Sequence, residues 1–191
     1  MDKRTFLVAG ASVAAVSLLS AGCTTTTSAS SDPQARRNDI NTSVDRALSN
    51  LYTQVGGSEE LVKSARGVLV FPSVIAAGLG VGGATGEGAM REAGVTTGFF
   101  RTSSLSVGLI AGAQSTAVIY LFMTQEALAK FNASRGWQVG VDAGVTLISV
   151  GTNARVDTRS VQQPIVAFVL TNAGLMANLT LDGTRINRLD L

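Results

Sequence analysis

The sequence predicts an α+β domain: N-terminal helices packed on a strongly curved, mostly antiparallel sheet, with one helix inserted among the strands. Three observations predict it. Apolar residues recur at helical spacing between residues 35 and 55 and switch to alternation and short continuous apolar runs after residue 67. Strand-type runs of that kind outnumber helical ones in the rest of the chain. Glycine, 21 residues in 191, is concentrated among them, which suits tight bends and bulges and can carry the sheet toward a barrel.

The elements follow in order. Ile40, Val44, Ala47, Leu48, Leu51 and Val55 form one stripe of an amphipathic helix over residues 35–55, which Gly56-Gly57 ends. Ser58 is the expected cap of a second, short helix, with Glu59 and Glu60 in its first turn and Lys63 and Arg66 near its end. Gly67 to Phe71 reads as a buried strand stopped by Pro72, and Val95 to Arg101 as another. Leu105, Val107, Leu109, Ala111 and Ala113 alternate with small residues, and Ala117 to Met123 is apolar throughout, as expected of a strand buried on both faces. Thr124 caps a helix over 125–133 with Leu128 and Phe131 inward. Trp137, Val139, Val141, Ala143, Val145 and Leu147 predict a second long alternating strand. A polar loop over 151–163 leads to a buried strand over 165–170. Leu175, Ala177, Leu179 and Leu181 alternate up to the hairpin signal Asp182-Gly183, and a returning strand surrounds Ile186.

Ahead of this domain stands an export signal. Lys3 and Arg4 precede an apolar run from Phe6 to Leu19 and the small residues Ser20-Ala21-Gly22, followed by Cys23. A basic head, a short apolar stretch and a small-residue cleavage site make a signal peptide over residues 1–22. The run is shorter than the roughly 20 residues a membrane span needs. The junction resembles a lipobox, in a form with Ser20 where Leu is usual, and implies cleavage before Cys23 and acylation of its thiol. Cys23 is the only cysteine, so it has no internal disulfide partner, and lipidation accounts for an unpaired thiol in an exported protein. Lys3-Arg4-Thr5-Phe6-Leu7 is faintly similar to a twin-arginine signal, but ordinary secretion is the expected route. Thr24, in place of the Asp that retains lipoproteins at the inner membrane, points to the outer membrane, with the domain on the periplasmic face. Residues 23–34, mostly Thr and Ser, read as a tether, and the domain as 35–191.

Composition excludes several classes of function. Lys3, Arg4 and Asp2 leave with the signal, so 13 of the 15 basic and 12 of the 13 acidic residues remain, a balance unsuited to nucleic acid. With no histidine, the chain has no serine–histidine triad and no histidine-ligated metal site. Gly78-Leu79-Gly80-Val81-Gly82-Gly83 has the spacing of a dinucleotide loop, but Ala84-Thr85-Gly86-Glu87-Gly88 is a poor start for the helix that fingerprint requires. The glycines are expected to serve a bent sheet. Glu87, Glu92, Asp142 and Asp157 are carboxylates that a glycoside hydrolase could use in pairs. Nothing in the sequence pairs them, and Trp137 is expected to anchor the core. No catalytic residue, metal or cofactor is expected. Arg36, Arg37, Lys63 and Arg66 cluster in the helical part nearest the tether, where a basic amphipathic helix can touch anionic headgroups.

Several stretches, in order, resemble the SYLF (DUF500-type) family. They are Ala65 to Pro72; Gly86-Glu87-Gly88; Leu109 to Gln114; Phe122 to Phe131; Trp137 with Val139-Gly140; and Gly174 to Ile186. With the preceding helices the resemblance covers about residues 35–191. It implies affinity for phospholipid, which eukaryotic members direct at phosphoinositides through a basic N-terminal segment; some fungal members also bind actin. Export separates this chain from actin and from phosphoinositides. What carries over is a general phospholipid affinity, with Arg36, Arg37, Lys63 and Arg66 as headgroup contacts. The expected function is that of a non-enzymatic, membrane-tethered phospholipid-binding lipoprotein of the bacterial envelope. The alternative is an envelope lipoprotein that binds another protein or a glycan.

Overall fold

A computed structural model describes residues 32–148, 163–171, 174–175, 181 and 183–191. Helix α1 spans Pro33–Gln54, two residues earlier than the periodicity predicts. The reason is local. Asp32 caps the helix by accepting from the Gln34 amide at 2.9 Å, and Pro33 at the first helical position supplies a preset φ where no amide partner is needed. The expected stripe is the buried one: Ile40, Val44, Ala47, Leu48 and Leu51, continued by Val55.

Helix α2, Ser58–Ser64, is capped by Gly57 in the left-handed region rather than by Ser58. Ser58 is fully buried, and its hydroxyl donates to the Val55 carbonyl at 2.7 Å and the Leu51 carbonyl at 3.2 Å. It satisfies acceptors left open at the end of α1, and so fastens α2 to α1.

Strands β1, Gly67–Glu92, and β2, Val95–Phe122, form one long antiparallel hairpin. Its two-residue turn, Ala93-Gly94, has positive φ at both positions, the geometry that matches the twist of the flanking strands. Pro72 does not end the first strand as expected. The register jumps between Phe71 and Val74, and this bulge absorbs the residue that lacks an amide proton. Further register shifts fall between Leu79 and Val81 and between Met90 and Arg91.

The other strands attach to β2. Strand β5, Ile165–Thr171, pairs antiparallel with residues 117–122, and β7, Arg185–Leu189, with residues 99–103. Strands β3, Trp137–Gln138, and β4, Thr146–Leu147, flank them, β4 parallel to β5, and β6, Gly174–Leu175, turns back on β5. Among the described residues the sheet has seven strands, ordered β3-β7-β2-β5-β4 with β1 on β2 and β6 on β5. Its strong curl makes an open half-barrel. Helix α3, Gln125–Ala133, follows β2, capped by Thr124, whose hydroxyl accepts from the Ala127 amide at 3.2 Å.

The curl is visible within β1 alone. A Cβ on Gly88 would lie 2.0 Å from the Val70 carbonyl oxygen, and one on Gly86 2.6 Å from that of Ser73. The two ends of one strand therefore meet backbone to backbone, which only glycine permits.

The long alternating run expected from Trp137 onward is not one strand. Only 137–138 and 146–147 pair as strands, and Val141 is exposed. A turn intervenes at Gly140, φ +84°, and the Asp142 carboxylate accepts from the Gln138 amide at 2.5 Å. A local acceptor thus competes with sheet pairing. The expected loop over 151–163 lies outside the described residues except for its last position, as does most of the alternating run between Leu175 and Leu181.

The sheet buries two cores. On one face α3 and Trp137 cover Leu69, Phe71, Met90, Phe100, Tyr120, Phe122 and Ile186. Ring centroids there lie 5.0 Å apart for Phe122–Phe131, 5.5 Å for Phe131–Trp137 and 6.1 Å for Tyr120–Trp137. Such pairs add about 0.5–1.5 kcal/mol each beyond area burial. Trp137 is the core anchor expected. Tyr120 is deeply buried, and desolvation raises its hydroxyl well above the ordinary value. On the other face α1 and α2 cover Val68, Val70, Ala89, Ile119, Leu121, Val166 and Phe168, a mostly aliphatic layer with one buried aromatic ring.

Candidate functional site

The first turn of α1 meets the β1–β2 hairpin at Glu87 and Arg101, and there cationic side chains gather. Glu87 projects from β1 between Gly86 and Gly88, opposite Arg101 on β2. Its carboxylate accepts from Arg36 Nε at 3.1 Å and from Arg101 Nη2 at 2.7 Å, and it also meets Arg36 Nη2. Burial alone would push this carboxyl up. Hydrogen bonds from Arg36 and Arg101, with their charges, outweigh it and hold Glu87 below its ordinary 4.5. Two guanidinium groups share one carboxylate, so the group keeps a net positive charge.

One residue further on, Arg37 lines a cleft of about 380 Å³ between α1, the hairpin tip and β7. Thr96, Thr97 and Gly98 form one wall, and Arg188, Leu189, Asp190 and Leu191 the other, with Phe99 contributing apolar surface. Arg188 donates to the Thr97 carbonyl at 3.3 Å, and its guanidinium lies 5.8 Å from the centre of the Phe100 ring. By register Arg188 stands with Phe100 on the α3 face of the sheet, at the edge of the cleft. No ion pair engages Arg37 or Arg188 among the described residues. Two forked donors beside apolar side chains can hold a phosphate ester and part of the apolar group attached to it.

The four basic residues singled out in the sequence are thus separated. Arg36 and Arg37 stand at the start of α1. Lys63 and Arg66 belong to the opposite end, since α2 is fastened to the last turn of α1, a helix about 33 Å long. Lys63 pairs with Glu59 at 2.8 Å one helical turn away, and the hydrogen bond with that carboxylate raises its pKa. Arg66 is exposed, with its backbone amide on the Phe122 carbonyl at 2.8 Å. Sequence reasoning missed Arg101 and Arg188, which reach the site from strands far along the chain. Only Glu87, a lone acid between two glycines, signals that something must neutralise it.

The other carboxylates serve the fold. Glu92 accepts from Thr97 at 3.2 Å and Asn132 at 3.3 Å, and Asp142 holds its turn; Asp157 lies outside the described residues. The glycine-rich segment lies within β1, with no helix following to receive a pyrophosphate. Among the described residues no three metal-ligating side chains converge, and no helix is long and apolar enough to cross a membrane.

Comparison with protein families covers part of this α+β half-barrel. Residues 103–190 match the Ysc84 family, described as Las17-binding protein actin regulator. The matched stretch, from β2 to β7, is of the SYLF (DUF500-type) family. It includes Arg188, whereas α1 and α2 precede it. No curated protein matches the chain.

Proposed function

We propose that this chain is a non-enzymatic, membrane-tethered phospholipid-binding lipoprotein of the bacterial cell envelope. In this reading acylated Cys23 anchors it in the outer membrane and the domain stands on the periplasmic face. The observation that carries the reading is the cleft holding Arg37 and Arg188 at the start of α1, the part of the fold nearest the tether. Arg37 and Arg188 take the headgroup phosphate, the net positive Arg36–Glu87–Arg101 group draws anionic lipid toward it, and Phe99, Leu189 and Leu191 meet the apolar part of the lipid. A flexible tether of about ten residues has a root-mean-square reach of roughly 15–20 Å, which suits a domain that works close to the membrane. Family membership is consistent with a lipid- or actin-binding role; export of the chain favours lipid.

The test is co-sedimentation of the mature chain without its acyl anchor, as Cys23→Ser, with neutral and anionic phospholipid vesicles at low and moderate salt. Preferential binding to anionic vesicles, weakened by salt and by Arg37→Ala with Arg188→Ala, is the expected result. Absence of binding to either vesicle sinks the reading and leaves a second one, an interaction module for another envelope protein or a glycan. The family's description as binders of a protein partner favours that alternative.

A further inference from the structure

We infer that the sheet face beside the first turn of α1 carries a second phosphate subsite, built by Arg101, Arg185 and Ser103, and that the lipid bound is one with two phosphates, of the diphosphatidylglycerol class. The inference rests on the phospholipid reading and names the lipid for it.

Register builds the subsite. Along one face β2 presents Phe99, Arg101 and Ser103 in turn, and β7 presents Leu189, Asn187 and Arg185 opposite them. This is the face that α1 covers: Phe99 packs against the core beneath that helix, and Arg101 shares the Glu87 carboxylate with Arg36. Arg185 stands directly opposite Ser103 and diagonal to Arg101. Diagonal neighbours lie roughly 7–8 Å apart, close enough for two long side chains to converge on one anion. Arg101, Ser103, Arg185 and Asn187 are all exposed, so an anion can reach them from solvent.

Charge and donor chemistry come second. One carboxylate, Glu87, serves two guanidinium groups, and Arg185 adds a further positive charge in the next row. Arg101 reaches Glu87 through Nη2 alone, and a guanidinium fork has donors to spare after one such bond. The Ser103 hydroxyl opposite Arg185 is a third donor to the same point. Thr85, opposite Ser103 on β1 and also exposed, adds a hydroxyl at the margin. Two forked cations with a hydroxyl between them match the oxygens of a phosphate diester.

Spacing is the third observation. The cleft that holds Arg37 is lined by Phe99 and Leu189, which sit one row from Arg101 and two rows from Arg185 on the same face. Rows on one face are about 7 Å apart, so the two phosphate positions are separated by roughly 7–14 Å. A headgroup with a single phosphate fills one of them. A lipid whose two phosphates are joined by a short polyol fills both, and its second contact forms within one molecule, at a high effective concentration. Adjacent basic sites of this kind suit the diphosphatidylglycerol headgroup. A second copy of the chain fits poorly, because its equivalent face would bring like charges together.

The experiment uses the mature chain with Cys23→Ser and phosphatidylcholine vesicles that contain either diphosphatidylglycerol or phosphatidylglycerol, matched for total phosphate charge. Co-sedimentation is expected to show several-fold tighter binding to the two-phosphate lipid. Arg185→Gln is expected to remove that preference, a loss of about fivefold on diphosphatidylglycerol vesicles, with an unchanged melting midpoint. Lys63→Gln removes the same charge at the far end of α1 and is expected to leave the preference intact. Equal binding of the wild type to both anionic vesicles overturns the second subsite and spares the headgroup cleft. Binding to neither sinks both. A preference that survives Arg185→Gln, or that falls equally with Lys63→Gln, comes from another surface or from bulk charge and overturns the inference.

Discussion

The two faces of the sheet solve burial differently. Under α3, aromatic rings from four separate elements, β1, β2, α3 and β3, interlock edge to face and tilted around Trp137. Under α1 the layer is mostly aliphatic, with Phe168 its one fully buried ring, and at its margin it gives way to ion pairs, Arg36–Glu87–Arg101 at the start of α1 and Arg91–Asp45 at 2.5 Å further along. The aromatic face is closed by α3 and Trp137. The α1 face is held at its rim by charges that also face solvent, and it is there that cationic side chains remain for a ligand. A face built this way can exchange partners without unfolding the domain, because exposed or half-exposed ion pairs contribute little to stability.

The sharpest way to break this contrast is to empty the aromatic face. Trp137→Ala removes the ring that touches Tyr120, Phe122 and Phe131, and is expected to cost about 3–5 kcal/mol in urea unfolding. A cost below that of an ordinary surface substitution would mean that the face is not the stability core. Next comes Gly88→Ala. Its methyl group would meet the Val70 carbonyl oxygen, a backbone atom that cannot swing aside, so about 3 kcal/mol is expected. Gly94→Ala, at the solvent-facing hairpin turn where nothing lies near, should cost only the backbone strain of its positive φ, roughly 1 kcal/mol.

The α1 face predicts smaller effects. Glu87→Gln leaves Arg36 and Arg101 facing each other without a carboxylate, and about 1 kcal/mol is expected after solvent screening. The sign of its pH dependence follows from the lowered pKa. Glu87 is lower folded than unfolded, so its stabilisation is complete above the ordinary 4.5 and fades as pH falls through the folded value. Wild type and Glu87→Gln should therefore differ most near neutral pH and converge in strong acid; a gap that persists there refutes the ion-pair account. Smallest of all, Arg37→Ala should leave the melting midpoint unchanged while reducing binding to anionic vesicles. Lys63→Ala, tied to Glu59 at the far end of α1, should change neither.

Legibility in the sequence varied with the range of the interaction. The stripe of α1, the Thr124 cap of α3 and the continuous apolar runs of 67–71, 117–123 and 165–170 were readable because each depends on neighbours a few residues apart. The site was half legible. Arg36 and Arg37 stand out beside an amphipathic helix, but Arg101 and Arg188 lie on strands and are brought in only by the pairing of β1, β2 and β7. Pro72 shows the same limit: a local rule makes it a strand terminator, and a bulge supplied by the partner strand carries β1 past it. The run from Trp137 errs the other way, since an alternating pattern cannot reveal that Asp142 will cap a turn inside it.

What the sequence by itself determined is therefore the class of fold, the helices and their buried faces, the buried strands, and glycine where backbones meet. Only the tertiary structure decided that β1 and β2 are single strands folded back on themselves, that Glu87 joins Arg36 to Arg101, and that Arg37 shares a cleft with Arg188. The physical reason is that periodicity records which side of an element is apolar. Contacts between residues fifty or a hundred positions apart depend instead on the curvature and register of the sheet between them, which no short window of sequence contains.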